Sequence, residues 1–178
     1  MKKYFIQFRP FLVFIGTFFG AYILLTVLYK FYLDSFTGVE ADGITSIVSH
    51  NVEQLSNVFN YDIKVEKNFG SPWYDVLFNG NYIVRIVEGC NAVSVIILFI
   101  SFVLAFSGKL KTTLLFILFG IVFIYILNVF RIAVLTVLLY YFPQNNHLLH
   151  GVLFPLIIYG SVFFLWVIWV NKFSKYAK

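Results

Sequence analysis

Residues 88–106, EGCNAVSVIILFISFVLAF, pass from a polar segment into a purely apolar one, and the change falls at Cys90. None of residues 91–106 is charged, which is typical of a segment that lies inside a membrane. Cys90 is the only cysteine among 178 residues, so an intrachain disulfide is excluded. The fold therefore has to place a free thiol at the point where the chain enters a membrane.

The composition is that of a multi-pass membrane protein. Hydrophobic residues make up 61% of the chain and aromatic residues 21%, with a mean hydropathy of +0.88, which is more apolar than a soluble core of this length requires. Three basic clusters lie beside apolar runs and contribute to the net charge of +5: MKKYFIQFR (1–9), SGKLK (107–111) and NKFSKYAK (171–178). Basic clusters in these places are typical of cytoplasmic flanks and do not indicate nucleic-acid binding.

Acidic and basic residues are segregated along the chain, and this segregation predicts an orientation. All eight acidic residues lie between positions 34 and 88: Asp34, Glu40, Asp42, Glu53, Asp62, Glu66, Asp75 and Glu88. When the three basic clusters are placed in the cytoplasm, as the positive-inside rule requires, the acidic segment lies outside. The sequence therefore predicts a protein of the inner (cytoplasmic) membrane.

Four apolar segments are candidates to cross the membrane. They are residues 11–33, which we interpret as an uncleaved anchor, and residues 91–106, 112–128 and 151–170. The third continues through Arg131 into residues 132–143, which are either an extension of the third helix or a re-entrant piece. Trp166 and Trp169 are expected near the cytoplasmic interface. We therefore predict an all-α polytopic membrane protein with about four to five transmembrane or re-entrant helices.

The polar segment 34–88 is predicted to form a small extracytoplasmic insertion of a helix and a β-hairpin. Residues 44–59, ITSIVSHNVEQLSNVF, repeat apolar residues close to a helical period, which favours an amphipathic helix on the membrane surface. WYDVLF and YIVRIV flank an Asn-Gly pair, the dipeptide preferred in tight hairpin turns. The second strand of this hairpin ends at Glu88 and would deliver Cys90 to the membrane.

Helix rise places three polar side chains at one membrane depth. Measured from the basic loop at residues 109–111, Cys90 lies about 25–30 Å away and Arg131 about 30 Å away along their helices. His150 lies about 30 Å from the far end of the last span. Three helices thus bring a thiol, a guanidinium and an imidazole to the outer interface.

These three groups are suited to acyl transfer. A thiolate is a nucleophile, a guanidinium stabilises an oxyanion without losing its proton, and an imidazole protonates a leaving amine. We predict Cys90 as the nucleophile, Arg131 as its charged partner and His150 as the acid and base. The chain is then divided into a cytoplasmic flank with an anchor helix (1–33), an extracytoplasmic segment (34–88) and a catalytic transmembrane core (89–178).

Four further residues are candidate supporting groups with open alternatives. Asn91 and Asn128 are suited to orient the site, or to cap a helix and to bond neighbouring helices, respectively. Glu88 either pairs with Arg131 or is a solvated strand end. His147 competes with His150 for the proton-transfer role, and His150 is preferred because it lies about 4.5 Å closer to the level of the other groups.

Three ordered motifs resemble those of the exosortase/archaeosortase family, and most closely its exosortase F branch: EGCNAVSVIILFISFVLAFSGKLK, NVFRI and HLLHGVLFPLIIYG. The resemblance covers residues 82–178. It implies a membrane cysteine transpeptidase or protease that cleaves PEP-CTERM-like C-terminal sorting signals of exported proteins through a thioester acyl-enzyme. It also implies an unknown acceptor nucleophile, contact with membrane lipids and no metal or organic cofactor. The chain departs from the larger members in having fewer spans, and it has Ala92 where many have glycine.

Two other functions remain open from the residues alone. A membrane metalloprotease would bind zinc through His147 and His150, with Glu88 as a further ligand, although the chain lacks the HExxH pattern. A non-catalytic membrane scaffold would bind a partner through the outer segment, and in that case Cys90 would be dispensable.

Overall fold

The computed structural model describes residues 8–36, 38–106 and 108–174. The basic residues at positions 1–7 and 175–178, predicted as cytoplasmic flanks, lie outside these ranges. The helices are α1 (Arg9–Leu33), α2 (Gly43–Val58), α3 (Val93–Ala105), α4 (Leu110–Tyr141) and α5 (Pro143–Phe173), and the strands are β1 (Ile63–Lys67), β2 (Tyr74–Phe78) and β3 (Asn81–Ile86). Helix α5 is regular over Phe154–Ile168 and includes two π-helical segments, Leu149–Leu153 and Trp169–Phe173.

Three helices are long and apolar enough to cross a membrane among the described residues: α1, α4 and α5. Helix α3 has 13 residues, and its length of about 20 Å is less than the roughly 30 Å of a hydrocarbon core. The helix in the predicted second span is therefore too short to cross the membrane by itself. The chain is a multi-pass membrane protein, as its composition predicts.

Helix α4 runs without interruption for 32 residues. Residues 132–141 thus extend the third span and do not form a re-entrant piece. At about 48 Å, the helix exceeds the hydrocarbon core by about 18 Å. In its outer half, Val129, Ile132 and Ala133 are buried in a cluster with α2 and the sheet. The apolar character of this stretch therefore comes from packing on protein.

The polar segment forms a three-stranded antiparallel sheet of order β1-β2-β3. The predicted hairpin is present as β2 and β3, and both residues of its turn have positive φ, 49° at Asn79 and 77° at Gly80. This geometry is the reason for the Asn-Gly preference in two-residue turns. Strand β1, IKVEK, was not predicted because it is a charged edge strand in which only Ile63 is buried.

Helix α2 packs on protein more than its sequence pattern predicts. Val48 and Val52 are fully buried against the sheet and α4, whereas Ile47 is 58% exposed and Val58 is 76% exposed. The buried face also contains small polar residues: Thr45, Ser49 and Ser56. Their small side chains let α2 approach its neighbours closely, so the helix lies against α4 and not simply on a membrane surface.

At the other end of the bundle, the two tryptophans expected near the cytoplasmic interface are packed in different ways. Trp169 is fully buried and its indole N–H donates a 2.9 Å hydrogen bond to the Phe106 carbonyl. It therefore belongs to the protein core, next to Gly108 of the basic loop. Trp166 stacks on Phe102 with ring centroids 4.2 Å apart. A close approach at Gly120, where a Cβ would lie 2.2 Å from the Phe99 ring, joins α3 to α4.

The same end of the bundle brings three chain segments together. Phe14 of α1 contacts Phe106 with ring centroids 4.7 Å apart, and Gly108 forms an antiparallel bridge with Ser174. The beginning of α1, the loop before α4 and the end of α5 therefore lie side by side. These are the segments next to the three basic clusters.

Candidate functional site

Cys90 lies in a short turn between the sheet and α3. Strand β3 ends at Ile86, Glu88–Cys90 form a single 3₁₀ turn, and α3 begins at Val93. The thiol is free and half-buried, and Cys90 packs against the cluster that joins α2, the sheet and α4. The β-hairpin therefore delivers Cys90 to the apolar helices, as the sequence predicts.

Asn128 connects the Cys90 turn to the candidate cation. Its side-chain amide donates a 2.7 Å hydrogen bond to the Cys90 carbonyl oxygen, and its own oxygen accepts a 3.5 Å bond from Arg131. Asn128 is 1% exposed. Of the two roles that the sequence left open, the bonds show a link from α4 to the turn before α3, and orientation of the site remains a prediction.

Arg131 is within electrostatic range of the candidate thiol and of a histidine. Its guanidinium interacts electrostatically with Cys90 and with Tyr159 of α5. His150, in the π-helical segment of α5, interacts electrostatically with Arg131. His147 lies one turn earlier on the same element, and both histidines are exposed. The structure therefore brings Cys90, Arg131 and His150 together from three different segments of the chain.

Arg131 forms no ion pair with a carboxylate in the described part of the chain. Within residues 8–36, 38–106 and 108–174, the one ion pair joins Lys67 to Glu40 at 4.0 Å, so the possible pairing of Glu88 with Arg131 is not formed. The Nε atom of Arg131 is buried without a hydrogen-bond partner among these residues. Leaving a partly buried guanidinium unpaired is costly. Such an arrangement is typical of a cation that is kept for an anionic group of a substrate or transition state.

Asn91 fixes the other side of the Cys90 turn. Its oxygen accepts a 3.0 Å bond from the N–H of Val93, the first residue of α3, although the N-cap position of this helix is Ala92. Its amide donates to the Tyr29 hydroxyl at 2.8 Å and to the Thr45 hydroxyl at 3.2 Å. The Tyr29 hydroxyl also faces the carboxylate of Glu88. Glu88 is thus half-buried beside a tyrosine and is not a solvated strand end.

Tyr29, Thr45 and Tyr159 were missed from the sequence. Hydroxyl side chains in apolar helices are common, so none of the three carries a motif. The sequence did contain one signal for Tyr29. It lies about 30 Å along α1 from the first residue of that helix, which is the depth expected for Cys90. Thr45 gives no such signal, because its place beside Asn91 depends on how α2 packs.

Ala92 adopts a left-handed backbone conformation with φ of 65° and is 6% exposed. This conformation costs an L-residue about 1–2 kcal/mol and costs glycine little. The left-handed conformation is a physical reason to expect glycine directly after the Cys-Asn pair. The chain accepts the strained residue directly after the pair Cys90 and Asn91, where the turn enters α3.

A cavity of about 330 Å³ adjoins the turn that carries the thiol. Its lining includes Glu88 and Gly89 of the turn, together with Phe36 and Trp73. Cys90 itself is not part of this lining. Among the described residues no group of three or more His, Cys, Asp and Glu side chains is placed to hold a metal ion, so the zinc interpretation has no ligand set within them.

The fold and the site define a polytopic membrane protein with a thiol, a guanidinium and an imidazole converging where three chain segments meet. The chain belongs to the transmembrane exosortase family, since the family model (Exosortase_EpsH) matches residues 10–170, about nine-tenths of its length. No curated protein and no solved structure matches it. Family membership supports a membrane transpeptidase or protease role on C-terminal sorting signals of exported proteins.

Proposed function

We propose that the protein is a cysteine-dependent transpeptidase or protease that cleaves PEP-CTERM-like sorting signals through a thioester acyl-enzyme. Cys90 is the nucleophile, Arg131 the oxyanion partner and His150 the acid and base. The observation that carries this proposal is the position of Arg131, which interacts with both Cys90 and His150 and is tied to the Cys90 carbonyl through Asn128.

In this mechanism the Cys90 thiolate attacks the scissile carbonyl carbon, and the carbonyl oxygen becomes an oxyanion. The guanidinium of Arg131, whose Nε has no hydrogen-bond partner among the described residues, stabilises that charge. The tetrahedral intermediate collapses as the C–N bond breaks, and His150 gives a proton to the leaving amine. The products of this half-reaction are a thioester on Cys90 and the released signal segment.

The second half-reaction regenerates the thiol. An acceptor nucleophile, either water or another X–H group, loses its proton to His150 and attacks the thioester carbonyl. Arg131 again stabilises the oxyanion, and the C–S bond breaks to release the Cys90 thiolate. Water gives hydrolysis and any other acceptor gives transpeptidation. The identity of the acceptor distinguishes the two outcomes.

The site is proposed to lie at the extracytoplasmic face of the inner membrane. The ends that meet around Gly108 carry Lys109, Lys111 and Lys172 and fit the cytoplasmic side, while all eight acidic residues belong to the opposite segment. In this orientation exported proteins with a C-terminal signal meet Cys90 after translocation. The domain division remains as proposed, with the addition that residues 1–33 and 34–88 supply Tyr29 and Thr45 to the core of residues 89–178. Assignment to the exosortase F branch is part of the same proposal.

The test follows processing of a secreted reporter fused to a PEP-CTERM-like C-terminal signal of an exported protein from the same organism. We expect Cys90→Ala and Cys90→Ser to abolish the mass shift of the reporter while the chain still enters the membrane. Ser94→Ala, an exposed position one turn along, is the matched control.

Because Cys90 is the only thiol, a thiol-alkylating reagent that inactivates the protein must act there. Normal processing by Cys90→Ala would reject the cysteine mechanism and favour a non-catalytic scaffold. Inhibition by a chelator together with insensitivity to alkylation would favour the metalloprotease alternative.

A further inference from the structure

Helix α1 packs along α3, and its outer end reaches the nucleophile turn. None of the residues in Arg9–Leu33 is buried, and an anchor of this kind needs no particular side chain at its outer end. Nevertheless, the Tyr29 hydroxyl accepts a 2.8 Å bond from the buried amide of Asn91. Tyr32, one turn later, accepts a 3.2 Å bond from the Ile44 N–H at the start of α2. The outer end of the anchor helix is therefore polar and bonded to the site.

The amide of Asn91 donates along two branches, of which the one through Thr45 continues by a hydrogen bond to a carboxylate. In this branch Asn91 donates to Thr45, and the Thr45 hydroxyl donates to the carboxylate of Asp42. In the other branch Asn91 donates to Tyr29, whose hydroxyl faces the carboxylate of Glu88. A charged acceptor at the end of a branch strengthens each bond before it. Both N–H donors of the Asn91 amide are thus engaged, and its side-chain oxygen accepts the N–H of Val93.

Cys90 is consequently held from both sides. Its carbonyl group is fixed to α4 by Asn128, and the residue that follows it is fixed to α1 by Tyr29. Since Asn91 is bonded directly to Cys90, the orientation of its side chain sets the direction in which the turn presents the thiol.

We infer that Tyr29 is a positioning residue of the active site, which acts through Asn91 to aim Cys90 at Arg131, and that α1 is a working part of the enzyme. This inference rests on the proposed role of Cys90 as the nucleophile. It assigns to the anchor helix a function in the acyl-transfer step, because a nucleophile that is well oriented reacts faster at the same substrate affinity.

The experiment uses the full chain in liposomes with a fluorogenic peptide that carries the C-terminal signal used above. Tyr29→Phe removes the hydroxyl and keeps the ring that stacks on Tyr32. We expect about a tenfold lower kcat at unchanged KM, the size of effect that a lost buried hydrogen bond produces. Tyr22→Phe, two turns earlier on the same helix, is expected to retain wild-type kinetics.

A double-mutant cycle separates positioning from general support. If Tyr29 acts through Asn91, Tyr29→Phe has less than about a twofold effect in an Asn91→Ala background, because the two changes remove the same link. Additive effects would overturn the inference. So would wild-type kcat in Tyr29→Phe, or a loss of this variant from the membrane, which would show a role in assembly.

Failure of the inference and failure of the proposed function are distinguishable. Activity in Cys90→Ala rejects the proposed function whatever Tyr29 does. An inactive Cys90→Ala beside a fully active Tyr29→Phe rejects the role of Tyr29 alone.

Discussion

The side-chain amide of Asn128 donates to the backbone carbonyl of Cys90 at 2.7 Å, and the oxygen of the same side chain accepts from Arg131 at 3.5 Å. One buried residue of α4 therefore sets the separation between the proposed nucleophile and the proposed cation. Arg131 follows Asn128 by three residues, so the two side chains lie on neighbouring turns of one helix face. The NVFRI motif thus contains both the cation and the group that ties it to the thiol.

Replacing Asn128 should inactivate the enzyme, and the aspartate and alanine variants should differ in their other effects. Asn128→Asp removes the donor to Cys90 and gives Arg131 a carboxylate partner, so we expect no processing. Asn128→Ala leaves a buried carbonyl unpaired and should also cost about 1–3 kcal/mol of stability. Reporter processing and thermal unfolding in detergent measure the two effects. Asn171→Ala, exposed at the other end of the bundle, is the control, and wild-type processing by Asn128→Asp would contradict the proposed link.

Arg131→Lys should fail nearly as badly as Arg131→Ala. Lysine keeps the positive charge and loses the planar fork of donors that fits an oxyanion, so we expect the rate of processing to fall by about 10²-fold or more. Arg85→Lys, an exposed position on β3, should be unaffected. Near wild-type turnover by Arg131→Lys would mean that Arg131 only sets the depth of α4 in the membrane.

The two histidines beside the last span should behave differently. His150→Ala is expected to lower the rate by about 10²- to 10⁴-fold, because proton transfer to the leaving amine is lost. His147→Ala should keep most activity, since His150 is the ring that interacts with Arg131. The variants are compared at matched expression, with His50→Ala on α2 as the third-histidine control. The reverse pattern would assign proton transfer to His147.

Ala92 offers a test of backbone strain next to the nucleophile. Ala92→Gly removes a backbone strain of about 1–2 kcal/mol and also removes a buried methyl group that contributes about 0.8 kcal/mol. The two changes oppose each other, so the free energy of unfolding should change little. Ala92→Val places a β-branched side chain at φ of 65° in a buried position and should destabilise the protein. Thermal unfolding and membrane levels report the difference, with Ala105→Val at the end of α3 as the control. Equal stability of Ala92→Val and wild type would contradict the left-handed turn.

Several features of the fold were predictable because their causes are local. The length and apolar content of α1, α4 and α5 determine that these segments cross a membrane, whatever they pack against. The Asn79-Gly80 turn determines the hairpin because both residues tolerate positive φ. The order of the Cys, Arg and His motifs was sufficient to indicate the family, and Cys90, Arg131 and His150 do converge.

Other features were decided by contacts between distant parts of the chain. Residues 132–141 are apolar, and only the sheet and α2 packed on them show that α4 continues beyond the membrane. The sequence indicates only that Trp169 lies near an interface. Its place in the core comes from its bond to Phe106, which is 63 positions away in the chain. The bond from Asn91 to Tyr29 spans 62 positions. Such pairs produce no pattern in the local sequence, because their hydrogen bonds and close contacts form only when the tertiary fold brings distant residues together.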